Sequence, residues 1–157
     1  LVTDDEEASR KVGQYNKGAV ETNLPGITLS LTNIPKKNRI EKGKSGEFQI
    51  ILGGWNAIIP DPINIMDFAH SKTVFNYGGY NNAEVDRLLD AAENEDANAI
   101  AQRFEDIHAA EKIYVDELGV APLYHSSEAF LWNPNVKGIV RHSVGARYDF
   151  KNAYIVE

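Results

Sequence analysis

The chain has 157 residues, 43% of them hydrophobic and 25% charged, with a net charge of −7 and no cysteine. The length suits one domain or one lobe with a sizeable core. The acidity argues against a general nucleic-acid binder, which needs a basic face, and the lack of cysteine removes disulfides, thiolate metal sites and a cysteine nucleophile.

No apolar run reaches membrane-spanning length, and no segment reads as a signal peptide. Leu1–Thr3 reads as a short strand. The acidic run from Asp4 to Glu7 opens a helix, with Asp4 as N-cap and Glu7 three residues on. Val12, Tyr15 and Ala19 recur at helical spacing and carry that helix to about Glu21. Asn23-Leu24-Pro25-Gly26 is a turn. Ile27, Leu29 and Leu31 alternate with Thr28, Ser30 and Thr32, a strand with one wetter face. Pro35 opens a basic segment, 36–42, which reads as a short helix ended at Gly43.

The segment from Glu47 to Phe68 organises the rest. Phe48, Ile50, Ile51 and Leu52 form an almost continuous apolar run, which suits a strand covered on both faces. Gly53 and Gly54 end it and leave room for another backbone or a ligand to come close. Trp55, Asn56, Ala57, Ile58 and Ile59 follow, and Pro60 and Pro62 around Asp61 force an extended or turning path. Strand, helix, strand, helix, strand predicts a parallel, covered sheet, whose strand ends are where ligands bind.

Beyond the Asp-Pro loop, Ile63, Ile65, Met66 and Phe68 fit a short helix or tight turn. Residues 70–82, rich in Ser, Asn, Gly and Tyr, form a surface loop. Asn82 caps a helix whose apolar face is Val85, Leu88, Leu89 and Ala92. A second helix runs from about Ala97 to Glu117 with the stripe Ile100, Phe104, Ile107, Glu111, Tyr114 and Leu118, and stops at Gly119. The tail reads as strands over Val120–His125, Ala129–Trp132, Gly138–Arg141 and Tyr148–Phe150.

Several constellations have a chemical reading beside an ordinary one. Glu105, His108 and Glu111 share one helix face and suggest a metal site, but no second ligand helix matches and a solvated face is the simpler account. Ser71 or Ser126 with His70, His125 or His142 and an aspartate permits a hydrolytic triad on paper, yet no Gly-x-Ser-x-Gly elbow is present. Neither glycine pair has phosphate-loop spacing. Lys36, Lys37, Arg39, Lys42 and Lys44 either hold an anionic ligand end or form a solvated helix face, and the second is favoured. Taken alone, Trp55 reads as core.

Phe48-x-Ile50-x-x-x-Gly54-Trp55 followed by Asp61-Pro62 resembles the signature of the solute-binding proteins of peptide and nickel ABC importers, extracellular solute-binding protein family 5, with the oligopeptide-binding proteins as the nearest subgroup. Phe104–Lys112, Ala121-Pro122-Leu123-Tyr124, Asn135-Val136-Lys137-Gly138 and Tyr148–Tyr154 resemble further family segments in the family's order. The family is roughly three times longer, so the resemblance implies a carboxyl-terminal piece of a larger protein, with residues 1–157 as a single lobe. It implies an α/β fold, one lobe of a two-lobe periplasmic-binding-protein-like (type II) clamshell, with a mixed sheet covered by helices. The last strands, about 120–157, are expected to pack back toward the other lobe.

The resemblance also reverses the reading of Trp55. In the family this segment lies along the cleft, and a peptide pairs with its backbone like an added strand. The implied ligand-binding residues are Gly54, Trp55, Asn56, Ala57 and Ile58, with Tyr124 and His125 as second-rank contacts. Two family anchors are replaced. An Asp that meets the ligand's ammonium is Ile58 here, and an Arg that meets a carboxylate in some members is Leu52. A buried ammonium without its carboxylate would cost several kcal/mol, so the ligand is expected to be a longer or hydrophobic peptide, a peptide with a blocked amino end, or not a simple peptide. The implied function is extracytoplasmic peptide capture, periplasmic or lipid-anchored, by a monomer that delivers to an ABC permease, with no cofactor, no metal, no nucleic acid and no bond made or broken. A pheromone receptor, a surface adhesin and a non-peptide solute binder stand as alternatives.

Overall fold

The computed structural model describes residues 1–156. The chain folds as two compact units, the first made of Leu1–Trp55 with Lys72–Tyr80, the second of Asn56–Ser71 with the chain from Asn81 onward.

In the first unit β1 (Val2–Asp4) leads through α1 (Glu7–Asn23) to β2 (Thr32–Ile34), and α2 (Lys36–Ser45) follows. β1 and β2 are parallel, with Val2 opposite Thr32. Ile51 bridges Val2 in parallel on the other side. Its frame is the Val2 N–H donating to Ile50 O at 2.9 Å and the Leu52 N–H to Val2 O at 2.8 Å. The strand–helix–strand–helix–strand order thus places β1 in the middle of a small parallel arrangement. Val2, Thr3, Gly13, Arg39 and Gly43 are buried at its centre.

Four sequence expectations change here. The run from Phe48 to Leu52 is not a strand covered on both faces: Ile51 makes one bridge and Ile50 stays 49% exposed. The alternating segment 27–31 is not a strand, because α1 side chains take its main-chain groups. The Glu21 carboxylate accepts the Leu29 N–H, and Lys17 donates to Leu29 O. Asp4 does not cap α1, since its carboxylate is held by Arg39 Nε at 2.7 Å, and α1 starts after Glu6 with no side-chain cap. α2 does not stop at Gly43. It runs to Gly46, which adopts φ 71° and closes the helix through the Gly46 N–H to Gly43 O and the Glu47 N–H to Lys42 O.

In the second unit α3 (Ile63–Met66) continues into a 3-10 turn at Asp67–Ala69, and α4 (Ala83–Glu93) and α5 (Ile100–Asp116) form its core. Asn82 caps α4 by accepting from the Glu84 and Val85 N–H groups, and its amide donates to the Glu117 carboxylate just past α5. Val85, Leu88, Leu89 and Ala92 are buried. On α5 the buried face is Asp106, Ile107, Ala110 and Tyr114. The expected stripe is therefore shifted: Ile100 and Leu118 are 70% and 78% exposed, and small Ala110 lets α4 approach. The stop is shifted too. Leu118, not Gly119, takes the left-handed conformation, with φ 57°, while the Gly119 N–H reaches back to Tyr114 O.

The tail forms two antiparallel pairs, β3 (Val136–Lys137) with β6 (Tyr154–Ile155), and β4 (Val140–Arg141) with β5 (Tyr148–Asp149). Val120–His125 and Ala129–Trp132 are not strands, since no main-chain hydrogen bond engages 120–131 among the described residues. Phe130 instead packs under the Arg141 guanidinium, 4.3 Å from its ring centre. No helix among the described residues is long and apolar enough to cross a membrane.

Candidate functional site

The chain leaves the parallel arrangement at Leu52, and residues 53–57 belong to no helix, strand or turn. Gly53, Gly54, Trp55 and Asn56 are all exposed. The main-chain groups of Gly53, Gly54 and Asn56 make no hydrogen bond among the described residues. Exposed main-chain groups without a partner are free to pair with another backbone.

Trp55, at the end of the first unit, is 40% exposed and meets Phe75 edge-on at 4.7 Å between ring centres. Phe75 lies in the 72–80 loop, which packs against α2: a side chain at Gly43 would come within 2.5 Å of the Tyr77 ring. The Asn76 side chain, bonded to both the N–H and C=O of Tyr80, closes the same loop. Sequence reasoning read 70–82 only as a surface loop. Its single phenylalanine, beside Tyr77 and Tyr80, was the available signal for a Trp55 partner.

Residues 56–58 open the second unit. The Ala57 carbonyl accepts the Gly145 N–H at 3.3 Å, and the Ile58 N–H donates to Asn64 Oδ1 at 2.8 Å. Both groups are thus already engaged. The Ile58 side chain is 69% exposed. Asp61 holds the following turn: its carboxylate accepts the Ile63 N–H and an Arg103 bond, both at 3.0 Å. Burial alone would raise the Asp61 carboxyl. The Arg103 hydrogen bond, the Ile63 N–H and the Arg103 charge outweigh it and hold the group below its ordinary value. Tyr124 is 63% exposed and His125 is exposed, both in the non-strand segment 120–131.

The alternative chemistries find little support. Ser71, His70 and Asp86 do come together. However, the Ser71 hydroxyl donates to Asp86 Oδ2 and its N–H to Asp86 Oδ1, while His70 Nδ1 and Nε2 lie 3.5 and 3.4 Å from Asp86 and Asp90. A serine nucleophile must pass its proton to the imidazole. Here the serine is a clamp at the start of α4. Glu105, His108 and Glu111 are exposed on α5, and no group of three or more His, Asp or Glu side chains among the described residues could hold a metal ion.

Sequence reasoning missed Arg39. Read as one of five cations on a solvated face, it is only 7% exposed. Its spacing of four from Gly43 puts both on the inner face of α2, a signal visible in the sequence.

No protein-family model matches the chain. Curated relatives and solved structures do. The chain is 33% identical over 153 residues to the oligopeptide-binding protein OppA of Bacillus subtilis, covering 97% of this chain and 27% of that protein. The structure of the pheromone receptor PrgZ, described with its mode of peptide binding, matches with a TM-score of 0.87 at 29% identity, covering 100% of this chain and 30% of that one. The substrate-binding domain of an oligopeptide ABC transporter from Bacillus anthracis matches with a TM-score of 0.88 at 29% identity, covering 99% and 30%. The chain thus spans about a quarter of the length of the curated relatives it matches. Its α/β fold is that of the type II peptide-binding proteins. By sequence and by fold, the chain is a homologue of the oligopeptide- and dipeptide-binding proteins of extracellular solute-binding protein family 5, matching a carboxyl-terminal portion of them.

Proposed function

We propose that this chain forms part of the peptide cleft of an extracytoplasmic binding protein that delivers its ligand to an ABC permease. The observation that carries this reading is the exposed main chain of Gly53, Gly54 and Asn56, which makes no hydrogen bond among the described residues, with the Trp55 ring held against Phe75. An extended peptide laid along it gains main-chain hydrogen bonds that do not depend on its sequence, and side-chain pockets then set preference. The open main-chain groups are those of Gly53, Gly54 and Asn56, and the stretch ends where the Ala57 carbonyl and the Ile58 N–H are used internally. Exposed Ile58 and Ile59 offer apolar contact where the family's ammonium-binding Asp would stand, which supports a longer or hydrophobic peptide. Tyr124 and His125 are further contacts, and residues 120–157 return toward a second lobe that supplies the partner strand 120–125 lacks. Closure of two lobes on the ligand selects the state the permease reads. The protein works as a monomer, held outside the cytoplasm by a lipid anchor or free in the periplasm, and makes or breaks no bond.

The likeness to PrgZ favours a second reading, in which the peptide is a signal rather than a nutrient. Native mass spectrometry of the full-length natural protein from its own host separates the two. A heterogeneous peptide mixture supports uptake, one defined peptide supports signalling, and a single non-peptide compound refutes peptide binding. Trp55→Ala should weaken binding of the released peptides by about tenfold or more, the loss of one partly buried aromatic contact.

A further inference from the structure

Arg39 carries a charge into the interior of the first unit and uses only part of its hydrogen-bonding capacity there. Its Nε donates to Asp4 Oδ1 at 2.7 Å, and its side chain is 9% exposed. A guanidinium has five N–H donors, and a buried one needs partners for them. Nη1 and Nη2 make no hydrogen bond among the described residues. They are not sealed off either, since the buried side-chain atom left without a partner among the described residues is Asp106 Oδ2, and neither Arg39 nitrogen joins it. Nη1 therefore looks outward, and what lies over it is Gly53. A Cβ built on Gly53 would sit 3.3 Å from Nη1, and one on Gly54 would meet nothing within 4 Å. Exposed Gly53 thus lies beside the end of a buried cation, on the segment that offers its main chain.

We infer that Arg39 receives a carboxylate of the bound peptide beside Gly53, through Nη1 and Nη2. The inference rests on the peptide-binding reading and specifies it. Asp4 fixes the guanidinium plane through Nε and leaves the far edge of the fork free, the geometry that takes a carboxylate in two parallel hydrogen bonds. Lys36, Lys37 and Lys44 on that helix add positive charge around an Arg39–Asp4 pair that is itself neutral. The carboxylate is either the peptide's carboxyl terminus or a Glu or Asp side chain.

The test uses the full-length natural protein and amino-acetylated decapeptides of alanine and leucine, with Glu or Gln scanned through each position, each made as free acid and as amide. Binding is measured by titration calorimetry. A side-chain carboxylate is read as Glu over Gln at one position, a terminal one as acid over amide, by about tenfold or more. Arg39→Lys keeps a cation for Asp4 but loses the fork and should cut that preference several-fold. Gly53→Val leaves the pair intact, covers Nη1 and should abolish it. Peptides that bind with no carboxylate preference anywhere, or a preference untouched by both substitutions, overturn the inference and leave peptide binding standing. If no peptide binds, the peptide reading fails and this inference with it.

Discussion

Three glycines in the first unit's helices are chemically alike and should respond differently to alanine. Gly18 is exposed on α1, and a Cβ there meets nothing within 4 Å. Gly18→Ala should gain about 0.5–1 kcal/mol, the backbone entropy an Ala saves in a helix. Gly13 faces wholly buried Thr3, and its Cβ would lie 3.1 Å from Thr3 Cγ2. That neighbour must give by a few tenths of an ångström, so the helix gain and the crowding should roughly cancel. Gly43 is the severe case. Its Cβ would lie 2.5, 2.8 and 3.0 Å from Cδ2, Cε2 and Cγ of Tyr77. Cγ is the root of the ring, so spinning the ring does not clear it. The whole ring must retreat by about 1 Å to reach ordinary carbon–carbon contact. Overpacking of that kind costs about 1–3 kcal/mol, against which the helix gain is about 1. Gly43→Ala should therefore end up as much as about 2 kcal/mol less stable, and urea unfolding at constant m-value reads the difference. The displacement should also travel along the 72–80 loop to Phe75. In a Trp132→Phe background, Trp55 fluorescence should then change for Gly43→Ala and not for Gly18→Ala. If Gly43→Ala is as stable as Gly18→Ala, the close approach of α2 to the loop is wrong, and with it the account of how Trp55 is held.

Two further outcomes follow from the second unit. Leu118 holds φ 57° while 78% exposed, so its side chain contributes little burial and its backbone is strained. Leu118→Gly should raise stability by about 1 kcal/mol in thermal or urea unfolding, and an unchanged midpoint would contradict the strain. The Asp61 carboxyl is held below its ordinary value by Arg103 and the Ile63 N–H against the opposing effect of burial. Between its folded and unfolded values the unfolded chain binds more protons. The contribution is therefore fully present above the ordinary carboxylate range near pH 4 and is lost as pH falls through the folded value. Asp61→Ala should cost about 1 kcal/mol at pH 7, a charge-assisted bond discounted for partial exposure. The gap should shrink at pH 3, and one of undiminished size there would refute the assignment.

What the sequence revealed and what it hid divide along a physical line. The α4 cap and its buried face were legible because they are local: Asn82 satisfies N–H groups two and three residues on, and Val85, Leu88, Leu89 and Ala92 repeat at helical spacing. The parallel order around β1 was legible from alternation of elements. Three of the misreadings turn on a partner distant in sequence. Leu29 looked like strand until Lys17 and Glu21 took its main-chain groups. Asp4 looked like a cap until Arg39, thirty-five residues away, claimed its carboxylate. Gly43 looked like a helix end because glycine usually is one, but here it lets an aromatic ring approach.

The same distinction bears on the site. Gly53 and Gly54 read as room for a close approach, and both are exposed, whereas Trp55 taken alone read as core and is 40% exposed. The cation beside Gly53 was not legible, since Arg39 sits among lysines that do face water. Such a run hides its one inward member unless the helix phase is set by a second buried position, and Gly43, four residues on, sets it. A basic segment on a helix should therefore be read by phase before composition: the cation that shares a face with a buried glycine is the one with work inside the fold. In this chain that cation ends beside Gly53, two residues before Trp55.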